Sequence, residues 1–149
     1  MEPSEFRKKL KDKRQKLRKA HIAGLNAVGL IVSTGVKRAV QKAPRGGKIY
    51  KIYTGSGNYR IHKASAPGEA PATDTGGVVR SITYVVYSND DMVIIKCSRA
   101  LAPYALVLEY GSADGKLLAR PFMRPGVKDN KAAAITAYNN IIKKELSDG

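Results

Sequence analysis

The chain has 149 residues, with 27 Lys and Arg against 12 Asp and Glu and a formal net charge of +15. That is the length of one ordinary domain, and a hydrophobic content of 43% is enough for a small core. The charge favours polyanions or acidic protein surfaces as partners, while a single cysteine, Cys97, excludes an intrachain disulfide and points to a reducing compartment.

Residues 3–43 read as one long helix or two nearly collinear ones, with Ser4 available as N-cap. Phe6, Leu10, Leu17, His21, Leu25, Val28, Val32, Val36 and Ala39 recur in steps of three, four or seven, which keeps them on one helical face. The stripe is thin at first and broad later. Packing on the core is therefore expected from Ala20 to Val40, with the basic part from Phe6 to Lys19 projecting beyond it. The first twenty or so residues are too polar and charged for a signal peptide. Residues 20–36 contain His21, Asn26, Ser33, Thr34 and three glycines, which argues against a membrane span. Pro44 and Gly46-Gly47 end the helix.

Two β-prone runs follow, Lys48–Tyr53 and Asn58–Lys63, around the turn Thr54-Gly55-Ser56-Gly57. They carry Lys, Arg and Tyr rather than an apolar face, so an exposed hairpin or arm is expected. A Pro-rich stretch comes next, after which Asp74 or Thr75 can cap a short helical turn through Arg80. Ile82–Ser88 and Met92–Ser98 form the clearest hairpin, turning at Asn89-Asp90-Asp91. Their apolar content predicts cover on both faces, by helices on one and by a neighbouring subunit on the other. Pro103–Tyr110 fits a short helix stopped by Gly111. Ala119–Arg124 reads as extended, between Pro121 and Pro125. Val127–Leu146 closes the chain as a helix burying Val127, Ala134, Ile135, Tyr138, Ile141, Ile142 and Leu146.

The expected fold class is α+β: a small antiparallel sheet flanked by a long N-terminal helix and a C-terminal helix, with an extended hairpin and Pro-rich arm. The organisation is a basic helical extension at 1–19 and one domain at 20–149, with the arm at 45–77.

The residues do not assemble into a catalytic pattern. Asp74-Thr75-Gly76 is the tripeptide of aspartic proteases, but their carboxylate ends a buried apolar strand and works as one of two. Here Glu69-Ala70-Pro71-Ala72-Thr73 precedes a single copy. Gly111–Lys116 has three residues between its glycines, not four, and Leu117 stands where a phosphate loop needs Ser or Thr. His21, His62 and Cys97 lack ligand spacing. Cys97 reads as a buried inert thiol and His21 as structural. No catalytic residue, cofactor or metal is expected.

The basic run is the strongest physical signal. Arg7, Lys8, Lys9, Lys11, Lys13, Arg14, Lys16, Arg18 and Lys19 fill nine of thirteen positions, with Asp12 the one acid. Like charges at i and i+4 repel on a helix. The run is either a solvated helix end or a contact for phosphates or an acidic protein ring. Phosphate contact of this kind carries no base specificity.

Two segments together resemble a known family. The first runs from His62 through Ala66-Pro67-Gly68-Glu69-Ala70-Pro71 to Asp74-Thr75-Gly76 and Arg80-Ser81-Ile82. The second is Tyr104-Ala105 with Leu108-Glu109-Tyr110-Gly111-Ser112, then Ala119-Arg120-Pro121-Phe122-Met123-Arg124-Pro125. In this order, over roughly residues 20–146, they resemble the neck and tail-completion family of long-tailed bacteriophages named after gene product ten of phage HK-ninety-seven. The resemblance implies a structural virion protein made in the host cytoplasm and built into the head–tail junction. It would form a homo-oligomeric ring, hexameric by analogy, between the head-closure or connector proteins and the tail terminator or tail tube, around the DNA channel. The basic first twenty residues depart from the family pattern.

In that role Pro67, Gly68, Glu69 and Pro71 would form a stiff arm laid on a neighbouring subunit, since proline lowers the entropy lost on docking. Arg120, Pro121 and Phe122 would offer a cation and an aromatic anchor at a strand edge; core packing is the other reading of Phe122. Glu109 can pair with Arg120 or Arg124, and spacing leaves both open. Repeating the basic helix around a ring would multiply its field along the axis and attract duplex DNA. The reading from a different class is a sequence-independent binder of nucleic acid or another anionic surface, acting through the basic helix alone.

Overall fold

A computed structural model describes residues 2–147; Met1, Asp148 and Gly149, which fall inside the two expected regions, lie outside them. The chain order is α1 (Pro3–Gln41), β1 (Ile49–Gly55), β2 (Asn58–Lys63), α2 (Gly77–Ser81), β3 (Ile82–Tyr87), β4 (Met92–Cys97), α3 (Ala105–Tyr110) and α4 (Met123–Ser147). The fold is α+β, with two separate two-stranded antiparallel sheets, β1–β2 and β3–β4, in place of one.

One unbroken helix spans 39 residues, about 58 Å at 1.5 Å per residue. Its N-cap is Glu2 and Pro3 takes the first helical position, so Ser4 does not cap it. Proline suits that position because its missing N–H would have no partner there. The buried positions are Ala20, Gly24, Leu25, Gly29, Val32, Ser33, Val36 and Val40, which is the expected packing region. Phe6 and Leu10 are exposed, and Val40 rather than Ala39 continues the buried face.

α4 runs antiparallel to α1: Tyr138 meets Gly24 near one end of the contact and Gly126 meets Val36 near the other. Glycines permit this approach. A Cβ on Gly24 would lie 2.5 Å from Tyr138 Cδ2, one on Gly126 would lie 2.7 Å from Val36 Cγ2, and one on Gly29 would strike the Tyr84 ring. β3–β4 lies across α1 on the Gly29 side. Ile82 pairs with Cys97, Tyr84 with Ile95 and Val86 with Val93, and alternation turns this set toward α1. The other face carries Val85, Tyr87, Met92 and Ile94 and has no helix over it; the last three are exposed. Cover on both faces is thus not provided within the chain.

The core is small. Val32, Val36, Val40, Val78, Ile82, Ala102, Ala105, Phe122 and Ala134 form its buried cluster. On α4 only Gly126 and Ala134 are fully buried, while Val127, Ile135 and Leu146, expected inside, are exposed. The helix lies against α1 along a narrow seam of small residues, leaving its larger side chains at the rim.

Gly126→Ala tests that seam. Helix propensity alone favours Ala over Gly by about 1 kcal/mol, but the new methyl meets Val36, including its Cα at 3.1 Å, and overpacking typically costs ~1–3 kcal/mol. Urea unfolding should show a net loss of about 1 kcal/mol, against the gain an open helix site would give.

Candidate functional site

The Pro-rich stretch lies on its own fold. Ser65 and Pro71 are buried, and the backbone from 64 to 73 is tied down at several points. Ala64 closes the hairpin root, its O accepting from Gly47 N and its N donating to Lys48 O. Gly68 N donates to Ala119 O, Arg120 Nε donates to Ser65 O at 3.2 Å, and Thr73 Oγ1 donates to Val40 O. Glu69 Oε2 accepts from Gly46 N at 3.1 Å and Ala66 N at 2.7 Å. Pro71 is buried and Glu69 half-buried, so the stretch lies as a strap on its own subunit in place of the expected extended arm. The exposed part is the Pro67-Gly68 tip, where Gly68 takes a φ of +83°.

Asp74 does not cap α2, whose N-cap is Gly76 in the left-handed region. The carboxylate instead takes both terminal nitrogens of Arg60, Nη2 at 2.7 Å from Oδ2, with His62 Nδ1 3.5 Å from Oδ1. The Arg60 guanidinium holds the Asp74 carboxyl below the usual carboxylate range, against the opposite effect of its partial burial. This clasp joins β2 to the strap. Beside it lies a cleft of about 460 Å³ bordered by Tyr50, His62, Asp74, Tyr104 and Arg120. With Asp74 held ionised by Arg60 and no second carboxylate in its lining, the cleft has no pair able to share a proton as aspartic proteases do.

Glu109, in contrast, is buried, at 4% exposure. Its Oε2 accepts from Phe122 N at 2.8 Å and Met123 N at 2.9 Å, and its Oε1 from Arg124 N and Arg124 Nε, both at 3.1 Å. Of the two partners left open by spacing, Arg124 is the one used. Burial pushes this carboxyl up, but the three amides and the guanidinium outweigh it and leave it below its ordinary value. Glu109 caps α4 from another element. This is why α4 starts at Met123, earlier than Val127, with Pro125 inside the first turn. Phe122, drawn in by the same carboxylate, is 1% exposed and belongs to the core; the expected aromatic anchor at an edge is corrected on that ground. Arg120 and Pro121 are half-buried, and Arg120 is committed to Ser65 O and Leu118 O.

The remaining polar groups are structural in placement. His21 bridges Tyr138 Oη, 2.7 Å from Nδ1, and Asp91 Oδ1, 2.8 Å from Nε2, joining both long helices to the β3–β4 turn. Burial pushes the Cys97 thiol up, and its sulfur lies 3.8 Å from Met123 Sδ. Among the described residues no group of His, Cys, Asp and Glu is arranged to hold a metal ion, and no helix is long and apolar enough to cross a membrane.

The nine cations from Arg7 to Lys19 are exposed. Among the described residues none of them has a carboxylate within ion-pair distance. The charge extends beyond this run. Residues 1–68 carry seventeen Lys and Arg against three acids, and residues 69–149 ten against nine. From Lys13 to Gly68 there is no acid.

No family model, curated protein or solved structure matches the chain.

Each of the two carboxylates yields a prediction. Because the Glu109 pKa is lowered on folding, its stabilisation is complete above the unfolded value of about 4.3 and is lost as pH falls through the folded value. Glu109→Gln should cost about 2 kcal/mol at pH 7 in chemical unfolding, with the gap to wild type closing below pH ~4. Asp74→Asn should release the hairpin root. Trypsin cleavage at Lys48, Lys51, Arg60 or Lys63 should quicken several-fold, while cutting at the exposed cations of Arg7–Lys19 keeps its wild-type rate.

Proposed function

We propose that the chain is a ring-forming structural subunit of a tailed-phage neck, joining head connector to tail around the DNA channel, and that it performs no catalysis. The family resemblance of the two motif segments suggests the role. The observation that carries it is the distribution of apolar surface. Leu101, Leu106, Tyr110 and Leu118 are exposed on and beside α3, and Tyr87, Met92 and Ile94 on the outer face of β3–β4. An apolar hollow of about 300 Å³ opens beside Leu106 and Tyr110, lined also by Ile95, Cys97 and Met123.

Exposed apolar side chains grouped on one element suit association surfaces. Two different patches on one subunit suit heterologous contacts, which close into rings when the rotation allows. The Pro67-Gly68 tip sits next to Leu118-Ala119 and would touch the neighbour at the edge of the α3 patch. Glu69, Pro71 and Phe122 then act indirectly, by holding that surface in shape.

A second reading has its own support: the solvated cations of α1 suit a polyanion, with affinity set by charge and falling steeply with salt. The two separate on assembly state. Sedimentation of the purified protein should reveal a closed oligomer, reduced to monomer by Leu106→Asp with Tyr110→Asp. Mass spectrometry should find the chain in purified virions of the phage that encodes it. A protein that stays monomeric at every concentration and is missing from virions would leave only the polyanion reading.

A further inference from the structure

The β1–β2 hairpin presents a surface that neither the core nor the proposed ring contacts use. Its two faces differ. Arg60 and His62 point to the Asp74 clasp, and Tyr50 borders the same cleft. The opposite face is built from the cross-strand pairs Ile49–Lys63, Lys51–Ile61 and Tyr53–Tyr59. Ile49, Tyr53, Tyr59 and Ile61 are all exposed there, Tyr53 at 75% and Tyr59 at 51%. The two tyrosine rings stand 6.3 Å apart, tilted by 59°, and Lys51 Nζ lies 5.0 Å from the centre of the Tyr59 ring. A two-stranded hairpin is marginal in water without something on its apolar face.

We propose that this face of the hairpin binds single-stranded nucleic acid, with Tyr53 and Tyr59 stacking on unpaired bases and Lys51 and Lys63 neutralising the adjoining phosphates. Charge selects a polyanion. The hairpin lies within the acid-free stretch from Lys13 to Gly68, and Arg60, its one cation with a carboxylate partner, belongs to the inner face. A second copy of the chain fits less well, because it would bring Lys51 and Lys63 against a molecule of net charge +15.

The aromatic pair selects the single strand over the duplex. Exposed rings interleaved with cations offer stacking platforms, and only unpaired bases present a free face to them. The face carries no Asn, Gln or Arg to read base edges in a groove, so binding is sequence-tolerant. The site is separate from the basic run of α1, which begins the helix whereas the hairpin follows its end. It concerns the hairpin alone and holds or fails independently of any ring.

Fluorescence anisotropy with a labelled oligo-dT of about 12 nucleotides, and a blunt duplex of equal length, tests it on the full-length protein. Tyr53→Ala with Tyr59→Ala should weaken oligo-dT binding about tenfold or more, since stacking contributes ~1–3 kcal/mol per base, and leave duplex binding unchanged. Lys51→Gln with Lys63→Gln should lower the salt slope on oligo-dT by about 1.4, at ~0.7 per phosphate. Lys9→Gln, Lys13→Gln and Lys16→Gln together should weaken both probes alike. The substituted side chains are exposed, so circular dichroism and melting should match wild type. Wild-type oligo-dT affinity in the tyrosine variant overturns the proposal, as does an equal loss on the duplex. A fall in oligomer size on tyrosine substitution would make the face a contact between copies, and tyrosine-dependent binding to phosphatidylserine vesicles without oligo-dT binding would make it a membrane contact; either result also overturns it.

Discussion

The Glu109 carboxylate is the interaction on which the architecture turns. The N-terminus of α4 has three free amides, on Phe122, Met123 and Arg124, and Pro125 has none to offer. Gly126 N already closes the first turn on Phe122 O. One side chain, on the preceding helix α3, accepts all three. It thereby fixes where α4 begins, puts Phe122 into the core and sets Gly126 against Val36. A carboxylate at a helix N-terminus also meets the positive end of the helix dipole, so ionisation and position reinforce each other. Loss of that charge would weaken all three bonds at the junction of α3, α4 and α1.

Around that junction the chain divides by charge. The C-terminal half is nearly neutral, and several of its acids are engaged: Glu109 with Arg124 and Asp114 with Lys116 within it, and Asp91 with His21 across to α1. The N-terminal half holds almost all the excess cations, on α1 and on the hairpin. Asp74 crosses the divide by clasping Arg60, and Arg120 crosses it again at Ser65. The strap between them thus links the basic hairpin to the loop before α4. The proposed association surfaces lie on the near-neutral half, where apolar contact between copies meets least repulsion.

Features set by local chemistry were legible in the sequence. Both hairpins fall where turn residues interrupt β-prone runs, α1 has its expected length, and its buried face follows the apolar spacing from Ala20 onward. Gly111 ends α3 as its position suggested, at a φ of +85° that favours glycine. What escaped depends on partners distant in sequence. Asp74 has the composition of a cap but is taken by Arg60, and Phe122 has the look of an exposed anchor but is pulled inward by Glu109. The start of α4 could not be placed because its cap lies outside its own sequence. The narrow α1–α4 seam was also hidden: glycines at 24, 29 and 126 carry no apolar signal, yet they decide how closely the elements approach.

The half-buried state of α1 has a consequence for how the subunit reaches outward. Residues 3–16 are exposed along their whole length, and a segment so short and so uniformly charged would not hold a helix alone. It is helical because the anchored half supplies the nucleus and the outer turns only propagate from it. Each added turn is therefore governed by ambient counter-charge. Counter-charge around residues 3–16 would favour the helical form of this end by offsetting the repulsion among its cations.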